Sequence, residues 1–126
     1  MRKDNEALKE RFVAAVLSGD KNGVETALAD DFVLHQSRGH AYAGVYRGAK
    51  GFLVAFDKLK STYAIETLNE VGAYWSADPD HAIFEFEMRG KISATGQPFQ
   101  ASILEHWAFK SGKLAAITPY WFEIPG

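Results

Sequence analysis

The sequence contains no cysteine. That removes a disulfide framework, a thiolate nucleophile and a zinc–thiolate centre from consideration. An excess of either charge is also missing: 14 Lys and Arg stand against 16 Asp and Glu, a net −2. A chain without basic surplus is poorly suited to nucleic acid or an anionic membrane as main partner. No apolar run approaches the roughly 20 residues that cross a bilayer, and the opening MRKDNEALKE is too polar for a secretory signal. Repeats, low-complexity tracts and linkers are absent as well. These absences predict one soluble, cytoplasmic domain over residues 1–126, with no nucleic-acid and no membrane partner.

Apolar and aromatic residues are plentiful instead, at 47% and 13%. A chain of 126 residues can bury roughly two thirds of its unfolded surface, enough for a real core. Leu8, Phe12, Ala15 and Val16 recur at helical spacing and predict a first helix over Asp4–Ser18, ended by Gly19. Asp20 can cap a short second helix with Val24, Ala27 and Leu28 on its buried side. A short strand over Phe32–Ser37 follows, and then a loop over Arg38–Gly48, whose glycines and tyrosines show no clean period. Phe52, Phe56 and Leu59 mark a third helix over Lys50–Lys60. Four long strands complete the chain: Thr62–Ser76, His81–Ser93, Phe99–Phe109 and Leu114–Phe122. Helices gathered before a run of antiparallel strands predict an α+β fold, with helices covering one face of a curved sheet.

The strand carrying Ser102–Phe109 (SILEHWAF) holds the most informative residue. A period of two sends Ile103, Glu105, Trp107 and Phe109 to one face and Leu104, His106 and Ala108 to the other. Glu105 is thus a single carboxyl between an isoleucine and two aromatic rings, where burial is costly unless it gains partners or a proton. The neighbouring strand alternates in the same way. Ala82, Phe84, Phe86 and Met88 fall on one face, and Ile83, Glu85, Glu87 and Arg89 on the other.

A bent sheet closed by helices makes a cone. Its concave face would carry Phe84, Phe86, Met88, Ile103, Trp107, Phe109 and Trp121, and the helices would add Phe12, Val16, Phe52 and Phe56. Such a mostly apolar concavity with one or two polar groups is the usual form of a small-molecule site.

Three stretches carry a family likeness: RFVAAVLSGD with ALADDF behind it (Arg11–Phe32), LEHWAFKSGKL (Leu104–Leu114) and TPYWFE (Thr118–Glu123). The chain resembles the cone-shaped NTF2-like (cystatin-like) superfamily, and within it the SnoaL-like and ketosteroid isomerase-like proteins. The resemblance implies three helices packed on a strongly curved, mostly antiparallel sheet. It also implies what has changed. The family's isomerases use an aspartate base where this chain has Gln36, and a tyrosine oxyanion donor where it has Phe12. Their second oxyanion donor, a carboxylic acid kept protonated by its apolar site, matches Glu105, and a pocket aromatic near the C-terminus matches Trp121. Ordinary steroid isomerisation is therefore not expected.

His35 could serve as base if the alignment slips by one residue, although in the simplest register it faces away from Gln36. Tyr42 and Tyr46 sit near the expected mouth, where they could donate hydroxyls or simply pack the rim. Glu85, Glu87 and Arg89 resemble a water-activating acid–arginine set but share the opposite face, where a charge ladder is the simpler account. No HxxxH or HExxH spacing occurs, so no metal site is expected, and no cofactor. Two functions follow. One is a small cofactor-independent isomerase or a hydrolase/cyclase-type acid–base enzyme acting on an apolar ring-containing molecule, with Glu105 as acid or donor. The other is a non-catalytic ligand-binding or dimeric scaffold. A homodimer is expected in either case, through the face carrying Leu104, His106, Ala108 and Ile83.

Overall fold

The computed structural model describes residues 2–40 and 42–126; Met1 and Ala41 lie outside the described residues. Three helices, α1 (Arg2–Ser18), α2 (Lys21–Ala27) and α3 (Gly48–Thr62), pack on a curved six-stranded sheet. Its strands are β1 (Leu28–Gln36), β2 (Gly44–Arg47), β3 (Tyr63–Trp75), β4 (His81–Ile92), β5 (Pro98–Lys110) and β6 (Lys113–Trp121). They lie in the order β2-β1-β6-β5-β4-β3. Every neighbouring pair is antiparallel except β1 and β6, which run parallel.

Local chemistry sets the helix ends. Gly19 takes φ 74° just past α1, a left-handed conformation that costs glycine nothing. The Gly19 N–H reaches the Val16 carbonyl and the Asp20 N–H the Ala15 carbonyl at 2.9 Å, the paired closure of a Schellman motif. The Asp20 carboxylate then caps α2 by accepting the Gly23 N–H at 3.0 Å.

Two expectations about the early chain need correction. Leu28 does not belong to α2; it opens β1, where it lies opposite Leu114, and both are buried. Burying Leu28 against the sheet outweighs its helical spacing. The expected loop Arg38–Gly48 contains the edge strand β2, paired with β1 from Val33↔Arg47 to Gln36↔Gly44. Four residues are too few for a period of two to register in sequence.

The curvature has a structural cause. Register shifts interrupt β3–β4 between Ile65 and Thr67 and again between Glu70 and Gly72, and β5–β6 between Ala108 and Phe109. Each irregularity bends its strand and increases the local twist. The sheet therefore wraps around α1 and α3. Two buried polar residues hold α1 in that wrap. The Asn5 amide donates to the Pro79 carbonyl at 2.9 Å and to Asp80 at 3.1 Å, at the β3–β4 turn. Lys9 is buried, pairs with Glu70 and Glu10, and lies 4.8 Å from the centre of the Phe84 ring.

Candidate functional site

The concave side of the sheet and the inner faces of α1 and α3 enclose a cavity of about 130 Å³. Phe12, Val13, Val16 and Leu17 come from α1; Phe52, Ala55, Phe56 and Leu59 come from α3. The sheet supplies Leu34, Gln36, Leu68, Phe86, Met88, Ile103, Glu105, Trp107, Ile117, Pro119 and Trp121. Among these lining residues only Glu105 is titratable, and only Glu105 and Gln36 carry a polar side chain other than an indole.

Strand registry puts the two polar groups in one row. Glu105 on β5 lies opposite Pro119 on β6, and the carbonyl of Pro119 accepts the Ser37 hydroxyl at 2.9 Å, next to Gln36 on β1. Glu105 and Gln36 are thus two strand spacings apart, roughly 10 Å between backbones, and both face the cavity. Each has one oxygen engaged by the protein. The Trp107 indole N–H donates to Glu105 Oε1 at 3.0 Å, and the Ser37 backbone N–H donates to Gln36 Oε1 at 3.0 Å.

Trp107 cannot easily move. It is buried, with Phe12 packed edge-on at 5.6 Å and Phe84 edge-on at 5.0 Å. Its position two residues after Glu105 on a strand places both side chains on the same face. Burial among these rings raises the Glu105 carboxyl from its ordinary 4.5 to about 7, an effect the Trp107 hydrogen bond only partly offsets. Desolvation penalises the charged form, and no cation lines the cavity to restore it. At neutral pH both protonation states are therefore populated, the condition under which a carboxyl exchanges protons most effectively.

Other residues singled out in the sequence lie elsewhere. His35 is exposed on the far face of β1, opposite Val45, while Leu34 and Gln36 point inward. Phe84 and Phe109 have the expected facing but lie in the packed core beyond Trp107. There Trp75 stacks on Phe109 at 5.8 Å and meets Phe84 edge-on at 5.7 Å. The Tyr46 hydroxyl donates to the Tyr42 carbonyl at 2.7 Å and does not reach the cavity. Tyr42 is buried with His40 behind Trp121, whose ring lies 4.5 Å from that of His40. Tyr42 OH, His40 Nε2 and Trp121 Nε1 have no hydrogen-bond partner among the described residues. Glu85, Glu87 and Arg89 occupy the convex side, where Glu85 accepts the Tyr74 hydroxyl. No group of three or more potential metal ligands exists among the described residues.

Sequence reasoning passed over Leu34, Leu68, Ala55, Ile117 and Pro119 as lining residues. Leu34 had a usable signal, its period-two relation to Gln36. Leu68 had none, because the register shifts in β3 break the alternation that would have revealed its face.

Residues 10–117 match the SnoaL-like domain family. The chain belongs to that family. Comparison with curated proteins by sequence returns no match. Solved structures show that the SnoaL-like chain has an NTF2-like fold. An NTF2-like protein from Burkholderia xenovorans superposes with a TM-score of 0.80 at 18% identity, over 94% of this chain and 89% of that one. A candidate SnoaL-like polyketide cyclase from Mesorhizobium loti gives 0.72 at 18%, over 91% and 97%. TerC, crystallised with polyporic acid, gives 0.79 at 13%, over 94% and 91%. At these identities the likeness is one of fold.

Proposed function

We propose that this SnoaL-like protein is a cofactor-independent acid–base enzyme of the isomerase or hydrolase/cyclase type, acting on a small apolar ring-containing molecule held in the cone. The observation that carries the reading is Glu105: one carboxyl, raised to about 7, in a cavity lined otherwise by apolar and aromatic side chains and a single amide. Protonated Glu105 donates to a carbonyl oxygen of the bound molecule and polarises it. That acidifies the neighbouring C–H, whose proton passes to a water molecule, or opens the carbonyl carbon to attack by water, while Gln36 orients the carbonyl, a hydroxyl or the water. Desolvation strengthens such a hydrogen bond relative to water. The complex of TerC with polyporic acid supports a ring compound as occupant of a cone of this shape.

The test uses 2-tetralone in D2O, with exchange of its α-hydrogens followed by NMR. Wild type should accelerate exchange over buffer, Glu105→Gln should retain part of the effect, and Glu105→Ala should abolish it. Equal rates for wild type and Glu105→Ala would refute the assignment of Glu105.

The convex face favours a second feature, a homodimer. Ile83, Leu104, Tyr74 and Tyr120 are 41–58% exposed there. They lie side by side across the sheet, through the pairings Tyr74↔Ile83 and Leu104↔Tyr120. A second copy docking by a two-fold axis would cover this contiguous patch. Sedimentation at micromolar concentration should give a dimer, and Leu104→Glu should give a monomer with an unchanged circular dichroism spectrum. A monomeric wild type would refute the dimer.

A further inference from the structure

Away from the cavity, two histidines converge on the convex face of the sheet. His81 opens β4 and His106 lies on β5; their Cα partners are Ala108 and Ile83, which makes them diagonal neighbours on one face. His81 Nδ1 stands 3.0 Å from His106 Nε2, with the ring centres 5.2 Å apart. No helical spacing announces the pair, because its members lie 25 residues apart and meet only across the two strands. Across the gap one ring donates and the other accepts. The Asp78 carboxylate, 3.9 Å from Nε2 of His81, favours the tautomer with the proton on that nitrogen, which leaves the Nδ1 lone pair turned towards His106. Both rings are half-buried, and β4 and β5 hold an unbroken register from His81↔Ala108 to Lys91↔Pro98, so the pair stands on a rigid frame.

We propose that His81 and His106 form a two-point binding site for a divalent transition-metal ion such as Zn2+, separate from the cone and its acid. Imidazole nitrogen suits zinc and its neighbours in the first transition row, whereas Mg2+ and Ca2+ take oxygen ligands. Two nitrogens bound to one tetrahedral zinc at roughly 2.0–2.1 Å stand about 3.3 Å from each other. The rings need part by only a few tenths of an ångström to admit the ion. His106 then moves its proton from Nε2 to Nδ1, so that both lone pairs point at the metal and no proton is lost overall. Two protein ligands leave the remaining positions to water, so the site exchanges its ion with solvent and does not retain it as a resident cofactor. Because the ligands come from adjacent strands, the folded chain alone offers both, and the ion ties β4 to β5.

Calorimetric titration of the protein with ZnCl2 at pH 7.5 measures the site. Wild type should bind zinc, and His81→Gln and His106→Gln should each weaken binding by at least about tenfold, since losing one imidazole removes the chelate. His35→Gln, at an exposed histidine on β1, should bind zinc as wild type does, and MgCl2 should give no binding. Zinc that saturates wild type should also raise its melting temperature and leave that of the double variant unchanged. A merely structural hydrogen bond between the two rings predicts something else: both variants would melt lower without zinc, and zinc affinity would not depend on either histidine. Should a variant not fold, wild type answers alone in an imidazole 1H–15N correlation spectrum. The His81 and His106 signals should shift together as zinc is added, ahead of that of His35. Zinc affinity that is absent, or equal in wild type and both single variants, would overturn the site, as would a His35 signal that shifts first.

Discussion

Replacing Glu105 by Gln removes the one ionisation in the cavity while keeping the side chain's shape. The consequence for stability follows from linkage. The carboxyl titrates near its ordinary 4.5 when unfolded and at about 7 when folded. Between those values the folded chain binds the proton more tightly, so the stability of the wild type falls as pH rises from 4.5 through 7 and is level above that. At 1.36 kcal/mol for each tenfold in the proton equilibrium, the ionised carboxylate costs the folded state about 3 kcal/mol once the transition is complete. Little of this is felt at pH 5, where the cost is still under about 1 kcal/mol. Gln has no such pH dependence.

The gain of Glu105→Gln over wild type should therefore grow by about 2.5 kcal/mol between pH 5 and pH 8. For a chain of 126 residues that is a widening of roughly 9 °C in melting temperature. Calorimetry or thermal circular dichroism of both proteins at pH 5, 6, 7 and 8 measures it directly. A melting-point difference that stays flat over this range would show a carboxylate already ionised in the folded chain at pH 5. The acid–base role proposed for Glu105 would fall with it.

Burial of His40 behind Trp121 gives the opposite pH signature. Desolvation lowers its imidazole below the ordinary 6.5, so it contributes full stability above that pH and loses it as pH falls towards the folded value. His40→Leu should thus gain on wild type below pH 6.5 and not above, by the same melting experiment; an advantage that grew with rising pH would refute this. Gly90 on β4 tests the sheet. A Cβ there would collide with the Ala64 carbonyl on β3 and crowd the Ile65 Cα, all of it backbone with nothing flexible to move. Gly90→Ala should cost at least about 3 kcal/mol in urea denaturation, and a loss under 1 kcal/mol would mean that β3 and β4 are not in this register.

What could be seen in the sequence, and what could not, divides along a physical line. Alternation on a strand reports which face a side chain takes, and it did so for Gln36 against His35, and for Glu105 and Trp107 against His106. It does not report how far along the cone the side chain sits. Phe84 and Phe86 share a face and differ by two residues, yet one is packed against Trp75 and Lys9 and the other lines the cavity. That depth is decided by where α1 docks, and α1 is fixed by Asn5 and Lys9, polar residues whose burial no periodicity announces. The edge strand β2 was hidden for a related reason, since its pairing comes from β1 and not from a pattern of its own.

The same distinction explains why the candidate acid was the most legible part of the site. A carboxyl in phase with isoleucine and tryptophan breaks the pattern of its own strand, and a break of that kind is local, readable without knowing the neighbouring elements. Its protonation depends on more than the strand: Phe12 comes from α1 and closes over Trp107 at 5.6 Å, and the other α1 and α3 side chains complete an apolar lining with no cation. The residue could be found from β5 alone. Its chemistry could not, because the environment that raises Glu105 to about 7 is assembled only when the helices cover the sheet.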